Sequence, residues 1–506
     1  MSIARRSGAF RWTPQHPDTF LPVVLACCAL LVGVAAWAYY FNAGLVLSHY
    51  DAKAHLVVAR RVIDNLTPGW QQVGAVWLPL PHLLLLFPVQ IDLLYRTGLA
   101  GSLLSLTCLG VTAFAMASFV RRTTGSSPGA MAAVALLTLN PNLLYLFTTP
   151  MTEPLLFAVT SLLIWWLTGW LGGQTTRVPR LAGVLLIAAA WTRYEAWAVI
   201  AAAGLLSLAI LLWQRAPSSD IARRALAYSV WPIGAALAFL VDSRITVGQW
   251  FVSDGFFVPD PTYAGKMGAT LQAIAEGTVD LSGSVVVLVA TAGAAATVIV
   301  GLRHRVRSGA WIGLALLGSL ALPLTAFFDG HPFRIRYMTP LVAAAALWAG
   351  MAVGALPRRF QWMAAGGLVL AALAQAPPLS GTAPMVIEAQ LDRPAGAARE
   401  VVSECLSSNY RGEKVLASMG ALAHYMQELS WYGFALRDFV HEGNGIIWEV
   451  ALETGPAPVT GWMLVEEVAE GGDVLAQRIR RDPAFAAGMT RVCASGGVAL
   501  YRRDAR

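Results

Sequence analysis

Charged residues are scarce in this chain: Asp, Glu, Lys and Arg make up 13% of its 506 residues, against roughly a quarter in a soluble domain. With 57% hydrophobic residues and a mean hydropathy of +0.58, that shortage excludes a water-soluble globule for most of its length. The five cysteines are too few for a disulfide-built scaffold. Cys27, Cys28 and Cys108 lie in apolar runs, and Cys405 and Cys493 are free to form one disulfide if their part of the chain faces an oxidising compartment. The C-terminal part has no Gly-rich phosphate loop, metal-ligand spacing or nucleophile triad. No long internal repeat is present, which argues against an inverted-repeat transporter. The formal net charge of +7 is unevenly held: residues 1–376 carry 24 Lys+Arg and 13 Asp+Glu, and 377–506 carry 12 and 16. The basic excess belongs to the apolar part, where the positive-inside rule accounts for it, so no nucleic-acid partner is expected.

Long apolar runs take the place of charge. Residues 21–41 follow Arg5, Arg6 and Arg11 and are too long for a signal-peptide core, so they read as a retained first helix with a cytoplasmic N-terminus. Further runs at 99–120, 130–147, 155–171, 181–190, 196–213, 226–241, 284–302, 310–328, 338–356 and 360–376 bring the expected crossings to about eleven. Threaded in alternation, they place 15 arginines in the N-terminus and five inner loops, and all but Asp18 and Asp220 of the first 13 acids outside. A shift by one crossing inverts this distribution. The expected fold is a polytopic α-helical membrane protein of the plasma or inner membrane.

Residues 42–98 form a large first outer loop. Leu56, Ala59, Val62 and Ile63 recur at helical spacing beside Arg60, Arg61 and Asp64, which predicts a helix on the membrane surface. After the helical part, 1–376, residues 377–393 read as a linker and 394–506 as a small extracytoplasmic α/β domain. That domain has expected helices at 395–406, 421–429 and 474–480 and strands at 414–418, 461–468 and 498–502.

The outer loops gather Asp51, Lys53, His55, Glu153, Arg193, Glu195, Asp329, His331, Arg334 and Arg336, and the inner face has no comparable mixed-sign set. Charge near lipid is expensive, so such a cluster is a candidate site. Each member also has a plainer reading. Asp51 suits a helix N-cap, and His55 shares its helical face. Glu153 suits the positive end of a helix dipole. Arg193 and Glu195 suit mutual neutralisation, and Arg334 and Arg336 suit either snorkelling or bidentate phosphate binding.

Tyr50-Asp51-Ala52-Lys53-Ala54-His55, Thr152-Glu153-Pro154 and Arg336-Tyr337-Met338-Thr339-Pro340, in this layout, resemble the GT-C superfamily of integral-membrane glycosyltransferases. The likeness is to the branch of protein O-mannosyltransferases and the lipid A aminoarabinose transferase. It implies inverting transfer of a sugar from a polyprenyl-phosphate donor to a hydroxyl of a protein, glycan or lipid acceptor, within membrane lipid. Asp51 is then the general base and Glu153 a second carboxylate. Lys53, His55, Arg193, Glu195, Arg334, Arg336 and Tyr337 are the substrate-binding set. A divalent metal on Asp51, Glu153 and His55 stays open, because Ala52 stands where many members carry a second acid. A transporter or flippase of lipid-linked sugars, and a polymer ligase using a diphosphate-linked glycan, are the alternatives.

Overall fold

An apolar helix of about twenty residues spans the hydrocarbon core of a bilayer, and that length rule sorts the helices of this chain. A computed structural model describes residues 19–173, 175–252 and 258–505; Arg5, Arg6, Arg11 and Asp18, and residues 253–257, lie outside the described residues. Among the described residues eight helical segments are long and apolar enough to cross a membrane, the first being Phe20–Asn42 and the last Ile335–Ala355. The chain is a polytopic helical membrane protein. Ser127–Leu139 and Arg180–Ala190 are apolar but shorter, and Arg358–Gln375 is helical with two arginines in its first turn. The expected run 130–147 is broken in two. Pro141 cannot continue the first helix, and Asn140 caps the second by accepting from the Asn142 and Leu143 amides at 3.0 and 3.1 Å.

Small residues let these helices approach closely, the usual means of association where lipid removes the hydrophobic drive. Ser127–Leu139 packs on Thr339–Ala355, and a Cβ added at Gly350 would lie 2.5 Å from the Gly129 carbonyl oxygen.

The C-terminal part forms one five-stranded sheet from β1 (Val415–Ala417), β2 (Phe439–Val440), β3 (Trp462–Glu466), β4 (Met489–Ser495) and β5 (Val498–Arg503). Its order is β2-β1-β3-β5-β4, with β1 parallel to β2 and β3, and β5 antiparallel to β3 and β4. Central β3 is buried along its whole length, as a strand covered on both faces must be. Leu416, Val440, Met463 and Val465 face the helices Ile446–Thr454 and Val474–Arg481. Val415, Ala417, Trp462, Leu464 and Leu500 face the other way, into a core that also contains Leu56, Val57 and Ala59 of the first loop.

That shared core corrects one expectation. The loop helix Tyr50–Arg60 does not lie on a membrane surface; eight of its residues, Asp51, Ala52 and the six from Ala54 to Ala59, are buried. It packs against Met419–Leu429 of the sheet region. Sequence periodicity shows an apolar stripe but not what covers it.

Cys405, on the helix Arg393–Asn409, and Cys493, on β4, form a disulfide across a sequence separation of 88. Replacing both with serine is expected to destabilise this region by about 2–5 kcal/mol, read as a lower midpoint of thermal unfolding. An unchanged midpoint would contradict that.

Candidate functional site

The loop helix begins where His49, in extended backbone, accepts from the Asp51 amide through Nδ1 at 3.1 Å. This cap satisfies one of the free N–H groups of a helix start, and it fixes His49 Nε2 as the remaining ring nitrogen, aimed elsewhere. The same turn directs the Asp51 carboxylate to Arg336, with which it forms an ion pair and hydrogen bond. Both side chains are nearly buried, 12% and 10% exposed. Burial alone would raise the Asp51 carboxyl; Arg336, with His49 and His55, instead holds it well below the usual carboxylate range.

A residue the sequence reading left in the linker completes this group. Glu388, on the short helix Pro384–Ala389, accepts from the Ile335 amide through Oε2 at 2.6 Å. Its Oε1 lies 3.7 Å from His49 Nε2 and 4.0 Å from Arg336 Nε. Arg336 Nε and Glu388 Oε1 are each buried with no hydrogen-bond partner. Burial would raise the Glu388 carboxyl, but His49, Arg336 and the Ile335 amide bring it below its ordinary value. The signal in the sequence was slight: one acid in the apolar hexapeptide 384–389.

A second group forms where two membrane helices begin. Glu153 opens Glu153–Leu171 and Arg193 precedes Tyr194–Trp213. Arg193 donates to Glu195 from Nε at 3.1 and 3.2 Å and from Nη2 at 2.7 Å, and from Nη1 to Thr152 Oγ1 at 2.7 Å. Its Nη1 also lies 3.1 Å from Glu153 Oε1. That contact is an ion pair without hydrogen-bond alignment, since both Glu153 oxygens are buried with no hydrogen bond. Mutual neutralisation of Arg193 and Glu195 is therefore present, and Glu153 is the carboxylate left with unused acceptors. The two groups act on each other electrostatically, Glu153 on Arg336 and Arg336 on Arg193.

The remaining predicted residues are placed less centrally. Lys53 points away from Asp51 to Glu428 of the sheet region, with Nζ to Oε1 at 2.6 Å. His55 Nδ1 faces His82 Nε2 at 3.2 Å, with Trp77 4.1 Å from its ring, and burial takes both imidazoles well below their usual range, His82 to about 3. Arg334 is a quarter exposed and faces Glu470 at 3.8 Å. The Tyr337 hydroxyl meets His331 Nε2 at 3.2 Å, and its ring lies 5.6 Å from the Arg336 guanidinium. Arg336 is buried and carries no snorkelling geometry.

Asp51, Glu153 and His55 do not assemble as a ligand set. Each carboxylate faces a guanidinium and the histidine faces another histidine. Among the described residues no group of three or more His, Cys, Asp or Glu side chains is placed to hold a metal ion.

What the arrangement offers is an ionised carboxylate and a guanidinium side by side at the end of an apolar bundle, with further arginines around them and the sheet region packed over the loop that carries the carboxylate. No family model matches the chain, and no curated protein sequence matches it. Solved structures do match in fold. The chain is similar to ArnT from Cupriavidus metallidurans, seen in a crystal structure of the apo state, with a TM-score of 0.55 at 13% sequence identity, over 95% of this chain and 97% of that one.

Proposed function

We propose that this protein is a membrane glycosyltransferase that moves a sugar, in the manner of a hexosyl- or mannosyltransferase, from a polyprenyl-phosphate donor to a hydroxyl acceptor on a protein, glycan or lipid. The observation that carries the proposal is the buried Asp51–Arg336 pair at the end of a bundle with the fold of ArnT. In this reading the site faces the extracytoplasmic side of the cell membrane. Residues 1–376 hold the donor and 394–506 cover the first loop.

Asp51 takes the proton of the acceptor hydroxyl as its oxygen attacks the anomeric carbon. The new bond is carbon to acceptor oxygen; the bond that breaks joins the same carbon to the phosphate oxygen, and the electron pair leaves with the lipid phosphate. Attack opposite the leaving group inverts the centre, through an oxocarbenium-like transition state of the kind met in glycoside hydrolysis. Arg336 and Arg334 stabilise the charge that develops on the phosphate, with the planar guanidinium suited to two phosphate oxygens at once. Glu153, with free acceptor capacity, and the Arg193–Glu195 pair bind sugar hydroxyls. Lys53 and His55 serve the site by holding the loop helix in place.

The test is sugar transfer by the purified protein in detergent, from polyprenyl-phosphate mannose and from a panel of other polyprenyl-phosphate sugars, with and without EDTA. Donor turnover giving a free lipid phosphate is expected. EDTA decides whether a divalent cation takes part. Binding of every donor with release of none would overturn the enzyme reading in favour of a carrier of lipid-linked sugars.

A further inference from the structure

Arg336 sits between two carboxylates and is bonded to one. Nη1 holds Asp51, while Nε, on the other edge of the same planar group, is buried with no hydrogen bond and lies 4.0 Å from Glu388 Oε1. Glu388 Oε1 is likewise buried and unsatisfied. Buried polar groups are almost always paired, and each one left open costs its full desolvation. Two complementary orphans facing each other at a distance just too long for a hydrogen bond mark an arrangement with a second position near at hand. Glu388 is fixed for that role, because its other oxygen is held by the Ile335 amide at 2.6 Å and Ile335 immediately precedes Arg336.

The proposed reaction needs such a position. A base works best when its proton affinity is near the working pH, and a carboxylate bonded to a buried guanidinium is a weak base. A donor phosphate that engages Arg336 has to draw the guanidinium off Asp51 without stranding its charge. We infer that Glu388 is a positioning residue, the second seat of the Arg336 guanidinium, which receives it when the donor phosphate binds and so frees Asp51 to accept the proton. His49 links the start of the loop helix to Glu388: Nδ1 accepts from the Asp51 backbone amide and Nε2 points to the Glu388 carboxylate at 3.7 Å, so the loop helix keeps its place while the arginine moves.

This rests on the transferase reading, and the test keeps the two apart. Glu388→Gln retains an acceptor for the Ile335 amide and removes only the charge. With a donor that the wild type turns over, it is expected to lower kcat at least tenfold and leave the donor KM within twofold, because Arg336 still meets the phosphate. Glu388→Asp, which restores the charge one methylene short, is expected to recover most of the loss. Variants are compared as monodisperse protein with matched thermal midpoints; if Glu388→Gln does not fold, Glu388→Asp by itself must show a loss in kcat with KM unchanged. A Glu388→Gln kcat within twofold of wild type, a loss confined to KM, or equal loss in Gln and Asp variants would overturn the inference while leaving the transferase standing. Absence of turnover by the wild type on every donor in the panel would overturn the transferase reading and this inference with it.

Discussion

Asp51→Asn is expected to reduce sugar transfer by about 10²–10⁴-fold, the usual contribution of a general base, with the protein still folded. Asparagine has the shape of aspartate and keeps an oxygen to accept from Arg336, but it cannot take a proton. The substitution leaves the Arg336 guanidinium without its bonded counter-charge, which in a buried site is ordinarily severe. Here Glu388 stands 4.0 Å from the guanidinium Nε, and the Asp51 amide remains capped by His49, so the helix start survives. Initial rates on the donor used by wild type, beside a gel-filtration profile and a thermal midpoint, decide the point. A folded variant with more than about a tenth of wild-type rate would remove Asp51 from the role of base.

Arg399→Ala is expected to cost about 3–5 kcal/mol, the range for breaking a buried ion pair by removing one partner. Arg399 is 2% exposed and makes four hydrogen bonds, to Asp392 at 3.0 and 2.7 Å and to Glu428 at 3.1 and 2.9 Å. Alanine would leave two carboxylates in a poorly solvated place, with Lys53, bonded to Glu428 at 2.6 Å, and the His424 imidazole, 3.9 Å from Asp392, in place of the guanidinium. Lys53 sits on the same helix as Asp51, so transfer should fall along with stability.

The same network sets an acid limit. Burial alone would raise the Glu428 carboxyl, but Lys53 and Arg399 bring it down to about 2. A carboxyl lowered on folding adds stability that is complete above its unfolded value, about 4.3 for glutamate, and is lost as pH falls through its folded value. The sheet region should therefore loosen between about pH 4 and 2. In Arg399→Ala the Glu428 carboxyl is less depressed, so this contribution should be smaller and its loss complete at a higher pH. Thermal midpoints and limited proteolysis across this range test both statements; a variant that melts with the wild type at neutral pH would show that the network is not holding the sheet region.

Apolar runs separated by arginine-bearing turns were enough to specify the helical bundle, because hydrocarbon admits so few backbone arrangements that length and polarity decide them. The main strands of the C-terminal sheet were legible for a similar reason: Trp462-Met463-Leu464-Val465 can only be a covered strand in a polar context. The two-residue β2 and the largely exposed β4 lacked such a signal, since pairing defines them and burial pattern does not.

Within the site, Asp51 and Arg336 were visible as charges out of place among apolar neighbours, but not as partners, since 285 residues separate them. Glu388 was read as linker and Lys53 as substrate-binding. In the fold Glu388 enters the arginine's shell and Lys53 turns to Glu428. Sequence by itself determined that this is a polytopic membrane protein and which residues carry costly charge there, because those follow from local transfer free energies. Only tertiary structure decided which charges meet, because pairing depends on where distant helix ends converge, and no local pattern records that.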